Sequence, residues 1–475
     1  MDNDTSIEAT RHERETTEFA RLKELRQQHP ELFHRDIVTL HPKVLNFLGM
    51  TALPKDLPLG YIRLYPEDFI VEEVSRDGTI HTIEPETLPE TLTAEDRRTL
   101  YCDVVKMGVG TADMQWRLAN ELNVDRSRVL YAGLKDEVAI TSQLISLRGV
   151  RYEQIKGIKL PGIFCKNFYY GKDIIRVGSH AGNRFTILVR TERDIAAEDF
   201  NSAIQRVEQS GFLNYYGHQR FGYRPHRLGN RHSNHVLGKL VCRGEYDQAL
   251  KTFLTATNDN EMPLFANIRL EAQNIYSDWP KLHELYGRYP VYFERELILV
   301  SHLMANPKDS LGALCMLEPQ VKMWVQAYVS YCFNLLLSEL SQKGTLPEKL
   351  PLPMSPDTAD RAPYRSLFEQ HGTLDIFKYI KPFPSIAIAR HHIETKIKAD
   401  IHSLTSVPKG VIVNFTLGKA SYATTFLLNL FTLITDEPVP EWVDRDKIDI
   451  KATIGIGSVK TANDALGKSM APLDM

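Results

Sequence analysis

Residues 131–143 run YAGLKDEVAITSQ, a loop with β-rich sequence on both sides. Val129 to Ala132 on its N-terminal side and Ile140 to Leu147 on its C-terminal side are short β-rich runs. Between them Gly133 opens a short loop that carries Asp136. A carboxylate in such a loop sits at the rim of a sheet, held by rigid elements yet open to a substrate. An acidic residue in a tight loop is, on its own, most often a turn former. The rest of the chain has to decide between the two.

Working outward toward the N-terminus, Thr111 is placed as an N-cap with Asp113 in the first turn. Met114, Leu118 and Leu122 then recur at helical spacing. Leu100 to Lys106 is an apolar run, and Tyr61 to Val74 (YIRLYPEDFIVEEV) reads as strand with a bend at its proline. The connector TALPKDLPLG ends at Gly60. Before it, charged stretches with sparse apolar positions such as Phe19, Leu22 and Leu25 predict appended helices.

Toward the C-terminus, Asn183 to Arg190 alternates, with Phe185, Ile187 and Val189 on one face. A helix carrying Phe200, Ile204 and Val207 stops at Gly211. From there helices dominate, notably Val321 to Leu340, with Val325, Tyr328, Val329, Cys332 and Leu336 on one side. Strand character returns at Gly410 to Leu417, and a helix is expected over Thr424 to Thr432. The pattern is that of an α+β chain whose strand-rich domain is interrupted by a large helical insertion.

The 475 residues exceed what one core usually serves. No run is long and apolar enough to span a bilayer, and the polar start MDNDTSIEATRHERE is unlike a targeting peptide, so a cytoplasmic protein is expected. Five scattered cysteines without a C-x-x-C pair suggest neither a disulfide framework nor a cysteine zinc site. The net charge of −3 argues mildly against a nucleic-acid partner, unless the basic residues cluster. They do cluster: between Gly211 and Arg243 stand Arg220, Arg224, Arg227, Arg231, Lys239 and Arg243, with no acidic residue. Tyr215, Tyr216, Phe221 and Tyr223 are interleaved, a mixture suited to RNA phosphates and unstacked bases, although a solvated basic face would look similar.

The segment AGLKDEVAITSQ resembles the A-G-x-K-D-x-x-A-x-T-x-Q signature of the TruD family of pseudouridine synthases. Further segments resemble other elements of the family in the same order: IRLYPEDFIVEE, KMGVGT, VGSHAGNRFTILVR, NYYGHQRFG, QAYVSYCFN and GKASYAT. The first fifty or so residues lie outside the resemblance. The resemblance implies a pseudouridine-synthase catalytic domain over 55–210 and 406–475, a TRUD-type insertion over 211–405 and a helical extension over 1–54. It also implies RNA as partner, with uridine 13 of tRNA as the substrate, and it gives the residues their roles. Asp136 becomes the catalytic carboxylate and Arg63 its ion-pair partner, at a place where the family often has Lys. Asn183 and Phe185 become the residues that hold the uracil.

These roles make chemical sense. A base must leave its stack to react, and then needs a replacement surface and hydrogen bonds to its edge. A ring and an amide two apart on a strand share a face and can supply both. An arginine beside the carboxylate favours its ionised form, which can act as nucleophile or base. Isomerisation involves no redox step or hydrolysis, so neither metal nor cofactor is expected. Two rivals remain: a non-catalytic RNA-binding relative, and a metal-dependent hydrolase built on His226, His232 and His235. Those histidines lack zinc-finger spacing, and no Cys or carboxylate lies between them.

Overall fold

The structure is a computed structural model describing residues 17–34, 40, 42–93, 99–222, 233–257 and 261–467. The chain forms two units, one from Pro54–Phe212 with Ile397–Asp474, the other from Met1–Leu53 with Leu213–Lys396.

The first unit is built on strands β1 (Leu59–Ile62), β2 (Phe69–Val74), β3 (Thr99–Met107), β4 (Val129–Tyr131), β5 (Ile140–Arg148), β6 (Ile163–Gly171), β7 (Gly182–Thr191), β8 (Asp400–Val407), β9 (Gly410–Gly418) and β10 (Thr432–Ile434). Their main path runs β8-β9-β7-β2-β5-β3-β6, so strands from both ends of the chain share one mixed sheet. The unit resumes at Ile397 rather than at 406, because β8 is the antiparallel partner of β9 and a boundary at 406 would cut that hairpin.

Strand alternation separates two cores. Val104 packs with Met114 and Leu118 of helix α1 (Thr111–Glu121) and with Ile145 and Leu147. Its neighbour Val105 faces the other way, with Ile70, Leu188, Ile412 and the C-terminal Ile450 and Leu466. Helix α2 (Asn201–Ser210) ends at Gly211, whose φ of 68° suits a residue without a Cβ. The helix expected over 424–432 is confined to Ala423–Leu427. The Asn429 amide takes up the freed carbonyls of Thr425 and Phe426, and Thr432–Ile434 is drawn into parallel pairing with β1.

The second unit is helical among the described residues, apart from short strands such as Lys349–Pro351 paired with His392–Glu394. Its helix α3 (Glu318–Lys343) is buried on several sides, by Val321, Trp324, Tyr328, Cys332 and Phe333 among others, and is more central than one apolar stripe predicts. The Asn334 amide donates to the carbonyls of Leu48 and Tyr216 and accepts the Tyr216 N–H. The described residues before Leu53 group with this unit, where the Glu18 carboxylate accepts the N–H groups of Val291 and Tyr292.

Candidate active site

The loop between β4 and β5 is fastened through its backbone at Gly133, Lys135, Asp136 and Glu137. Gln143 donates from Nε2 to the Gly133 carbonyl at 3.2 Å, and Thr111 Oγ1 accepts the Lys135 N–H at 2.9 Å. The Lys135 ammonium pairs with Glu73 of β2 at 2.6 Å, both buried. Lys106 Nζ donates to the carbonyls of Val109 and Asp136, each at 2.8 Å. Gly108 N–H donates to the Glu137 carbonyl. Thr111 is therefore not the cap expected of it: Gly110 takes that place, and the threonine hydroxyl serves the loop. Lys106 is wholly buried, and burial pushes its ammonium down to about 8 despite the charges of Asp136 and Glu137 nearby.

Topology brings the second charged group here. β2 and β5 are parallel, with Ile70 opposite Ile140, so the segments entering them lie at the same end of the sheet. Arg63 precedes β2 and Asp136 precedes β5. Their side chains meet with Arg63 Nη2 3.3 Å from Asp136 Oδ2; the guanidinium is buried, whereas the carboxylate keeps 26% of its surface. Arg63 has the left-handed φ of 64°, uncommon for a residue with a side chain. Its neighbours hold it there: Tyr61 Oη donates to the Asp436 carbonyl, and Thr435 Oγ1 donates to that of Ile62. The turn that follows is locked by Asp68, which accepts two bonds from the Arg190 guanidinium and one from the Tyr65 N–H.

The Arg63 guanidinium lies 4.1 Å above the Phe69 ring centroid. Phe69 meets Phe185 edge-on at 6.4 Å, and Phe185 stacks on Phe415 at 5.2 Å. Phe185 is 5% exposed, so its ring forms part of an aromatic layer beneath the charged pair. Asn183 lies two residues away on the same strand face, opposite Glu73 in register. Its Oδ1 is buried and has no hydrogen-bond partner among the described residues. The imidazole of His180 lies against Gly133, where a Cβ would come within 3.1 Å of Cε1. Burial, reinforced by Lys135, lowers the pKa of that imidazole, so it is neutral at neutral pH.

One unit thus gathers Asp136, Arg63, Asn183 and Phe185. The residues named for RNA contact fall in the other unit or beyond the described chain. Tyr215 is no surface ring: it is buried, with its hydroxyl bonded to Ser338 and accepting the Ala52 N–H. Arg220 is half-buried over Tyr216 at 5.3 Å. Arg224, Arg227 and Arg231 lie outside the described residues, as do His226 and His232. The supporting groups Lys106, Glu73 and Gln143 had no role assigned from sequence, and Thr111 only that of a cap. Their only signal was that each stands inside one of the recurring motifs.

The described strand-rich unit is thus a mixed sheet built from both ends of the chain, with a guanidinium–carboxylate pair above an aromatic layer. A solved structure described as the putative tRNA pseudouridine synthase D from Methanosarcina mazei superposes with a TM-score of 0.62, covering 82% of this chain and 98% of that one at 22% identity. The family described as tRNA pseudouridine synthase D (TruD) matches residues 55–351, and the chain belongs to it. Among its relatives, the probable tRNA pseudouridine synthase D of Methanopyrus kandleri is 30% identical over 339 residues, 66% of this chain and 80% of the relative. The probable tRNA pseudouridine synthase D 1 of Methanocaldococcus jannaschii is 28% identical over 299 residues, 61% and 71%. No helix among the described residues is long and apolar enough to cross a membrane.

Proposed function

We propose that this chain isomerises uridine to pseudouridine at position 13 of tRNA, in the cytoplasm, with Asp136 as the catalytic carboxylate. The observation that carries this reading is the pairing of Arg63 with Asp136 on its fastened loop, in the unit that also holds Asn183, whose buried Oδ1 has no partner among the described residues. A buried acceptor without a partner costs about 1–3 kcal/mol, a debt that a uracil imide N–H would cancel. The aromatic layer containing Phe185 is the surface on which such a base would rest. In the reaction the N1–C1′ bond breaks, the base turns, and C5 bonds to C1′. C5 gives up its proton and N1 gains one, so atoms and electrons balance without an oxidant or second substrate. Asp136 supplies the carboxylate for attack or proton removal, and Arg63 holds it in place.

The test is incubation of the purified protein with tRNA transcripts that carry uridine or cytidine at position 13, followed by mapping of pseudouridine. Product at 13 in the uridine transcript alone is the expected result. Product elsewhere would reassign the substrate, and none in any RNA would return the chain to the RNA-binding alternative.

A further inference from the structure

We propose that Leu134 and Val177 form an apolar lip that enters the RNA base stack and keeps open the place of an extruded uridine. The inference rests on the proposed pseudouridine synthesis and deepens it by naming the groups that act on the uridine's neighbours.

Leu134 stands two residues before Asp136 and is 75% exposed. Slack in the loop does not explain this exposure. Ala132 and Lys135 on either side are buried, the Gly133 carbonyl is held by Gln143 and the Lys135 N–H by Thr111. A backbone fixed this firmly presents the leucine to solvent by construction. Val177, 85% exposed, stands on the neighbouring loop. That loop is stapled to the same segment by the Gly178 N–H, which donates to the Ala132 carbonyl at 2.7 Å, and to Lys419 Nζ through the Gly178 carbonyl at 3.2 Å.

Single exposed apolar residues are ordinary. Two of them on loops joined by a hydrogen bond, next to a reacting carboxylate, ask for an apolar occupant. Exposed Arg176 and Lys419 flank them, so the occupant carries negative charge beside its flat apolar faces. A base stack with its phosphates meets both demands. Proteins that distort nucleic acids insert aliphatic side chains between bases in this way, offsetting the lost stacking. An extruded base leaves such a gap.

The experiment compares two RNAs with the same sequence around the target, one with the uridine stacked in a helix, the other with it already bulged. Single-turnover pseudouridine formation is measured for wild type, Leu134→Met and the double variant Leu134→Ala/Val177→Ala. Both side chains are exposed, so the double variant should melt as wild type does. It should slow the stacked uridine on the order of tenfold or more, and the bulged uridine by about twofold or less, while Leu134→Met stays near wild type on both. A 2-aminopurine beside the target should brighten when wild type binds the stacked RNA, and not when the double variant does. Equal slowing on both RNAs, or none on the stacked one, would overturn the lip. A wild-type protein that forms no pseudouridine in either RNA defeats the activity instead, and the fluorescence then decides the lip by itself.

Discussion

Lys106 in the strand-rich unit and Arg269 in the helical unit are both buried cations, and their surroundings are opposite. Arg269 has two carboxylates, Glu261 and Glu296, each at 2.6 Å, and donates as well to the carbonyls of Phe253 and Leu254. Those charges outweigh burial and hold its pKa above the ordinary arginine value. Lys106 has carbonyls at hydrogen-bond distance instead, one of them that of Asp136. These are two uses of a buried cation. Arg269 is balanced by carboxylates and ties helices together. Lys106, unlike the paired Lys135 and Arg190 of the same unit, meets carbonyls and holds the backbone of the reactive loop.

The comparison can be pressed hardest at Asp136. Asp136→Asn keeps the shape and removes the charge, so single-turnover pseudouridine formation should fall by at least roughly 4 kcal/mol in transition-state stabilisation. Folding and RNA affinity should stay near wild type. Turnover close to wild type would remove Asp136 from the chemistry.

The counterpart in the helical unit is Arg269→Met. It strands two buried carboxylates and should destabilise that unit by about 3–5 kcal/mol. Below its melting temperature, single-turnover chemistry at saturating RNA should be unchanged. A matching loss of chemistry would show that the two units do not divide the work in this way.

Lys106 tests the difference through pH. The folded protein releases this proton near 8, whereas an unfolded lysine holds it to 10.5. Between these values the unfolded state binds more protons, so this group makes stability rise with pH across the window. Integrated, the rise amounts to roughly 3 kcal/mol. Lys106→Met should flatten that part of the curve, read from denaturant midpoints between pH 8 and 10. An unaltered slope would mean that Lys106 is not the group titrating there.

Arg63→Ala should cost activity roughly 2–3 kcal/mol by leaving Asp136 without its partner, while Arg63→Lys keeps the charge and should lose less. Equal rates for the two variants would break the pair's assigned role. The smallest effect belongs to the basic stretch. Replacing Arg224, Arg227 and Arg231 together by Ala should raise KM with little change in chemistry at saturating RNA. Each lost phosphate contact should lower the slope of log K against log salt by up to roughly 0.9. An unchanged slope would move RNA binding to other residues.

The sequence by itself determined the α+β class, the interruption after Gly211 and the strands on both sides of Asp136, because hydrophobic period and glycine stops are local properties. It also marked Asp136, Arg63, Asn183 and Phe185 through their motifs. Where the chain turns on distant partners, local reading failed. Thr111 looked like a cap but serves Lys135, the helix after Ala423 gave way to a strand that pairs with distant β1, and Tyr215 in an RNA-like stretch lies buried against Ser338. The parallel pairing of β2 with β5 joins Arg63 to Asp136, and no local pattern announces it. Nor does any announce that Lys106 would end beneath the loop it fastens. Only the tertiary structure decided these, because a buried polar group takes whichever partner the sheet places within reach, however far away in the chain that partner lies.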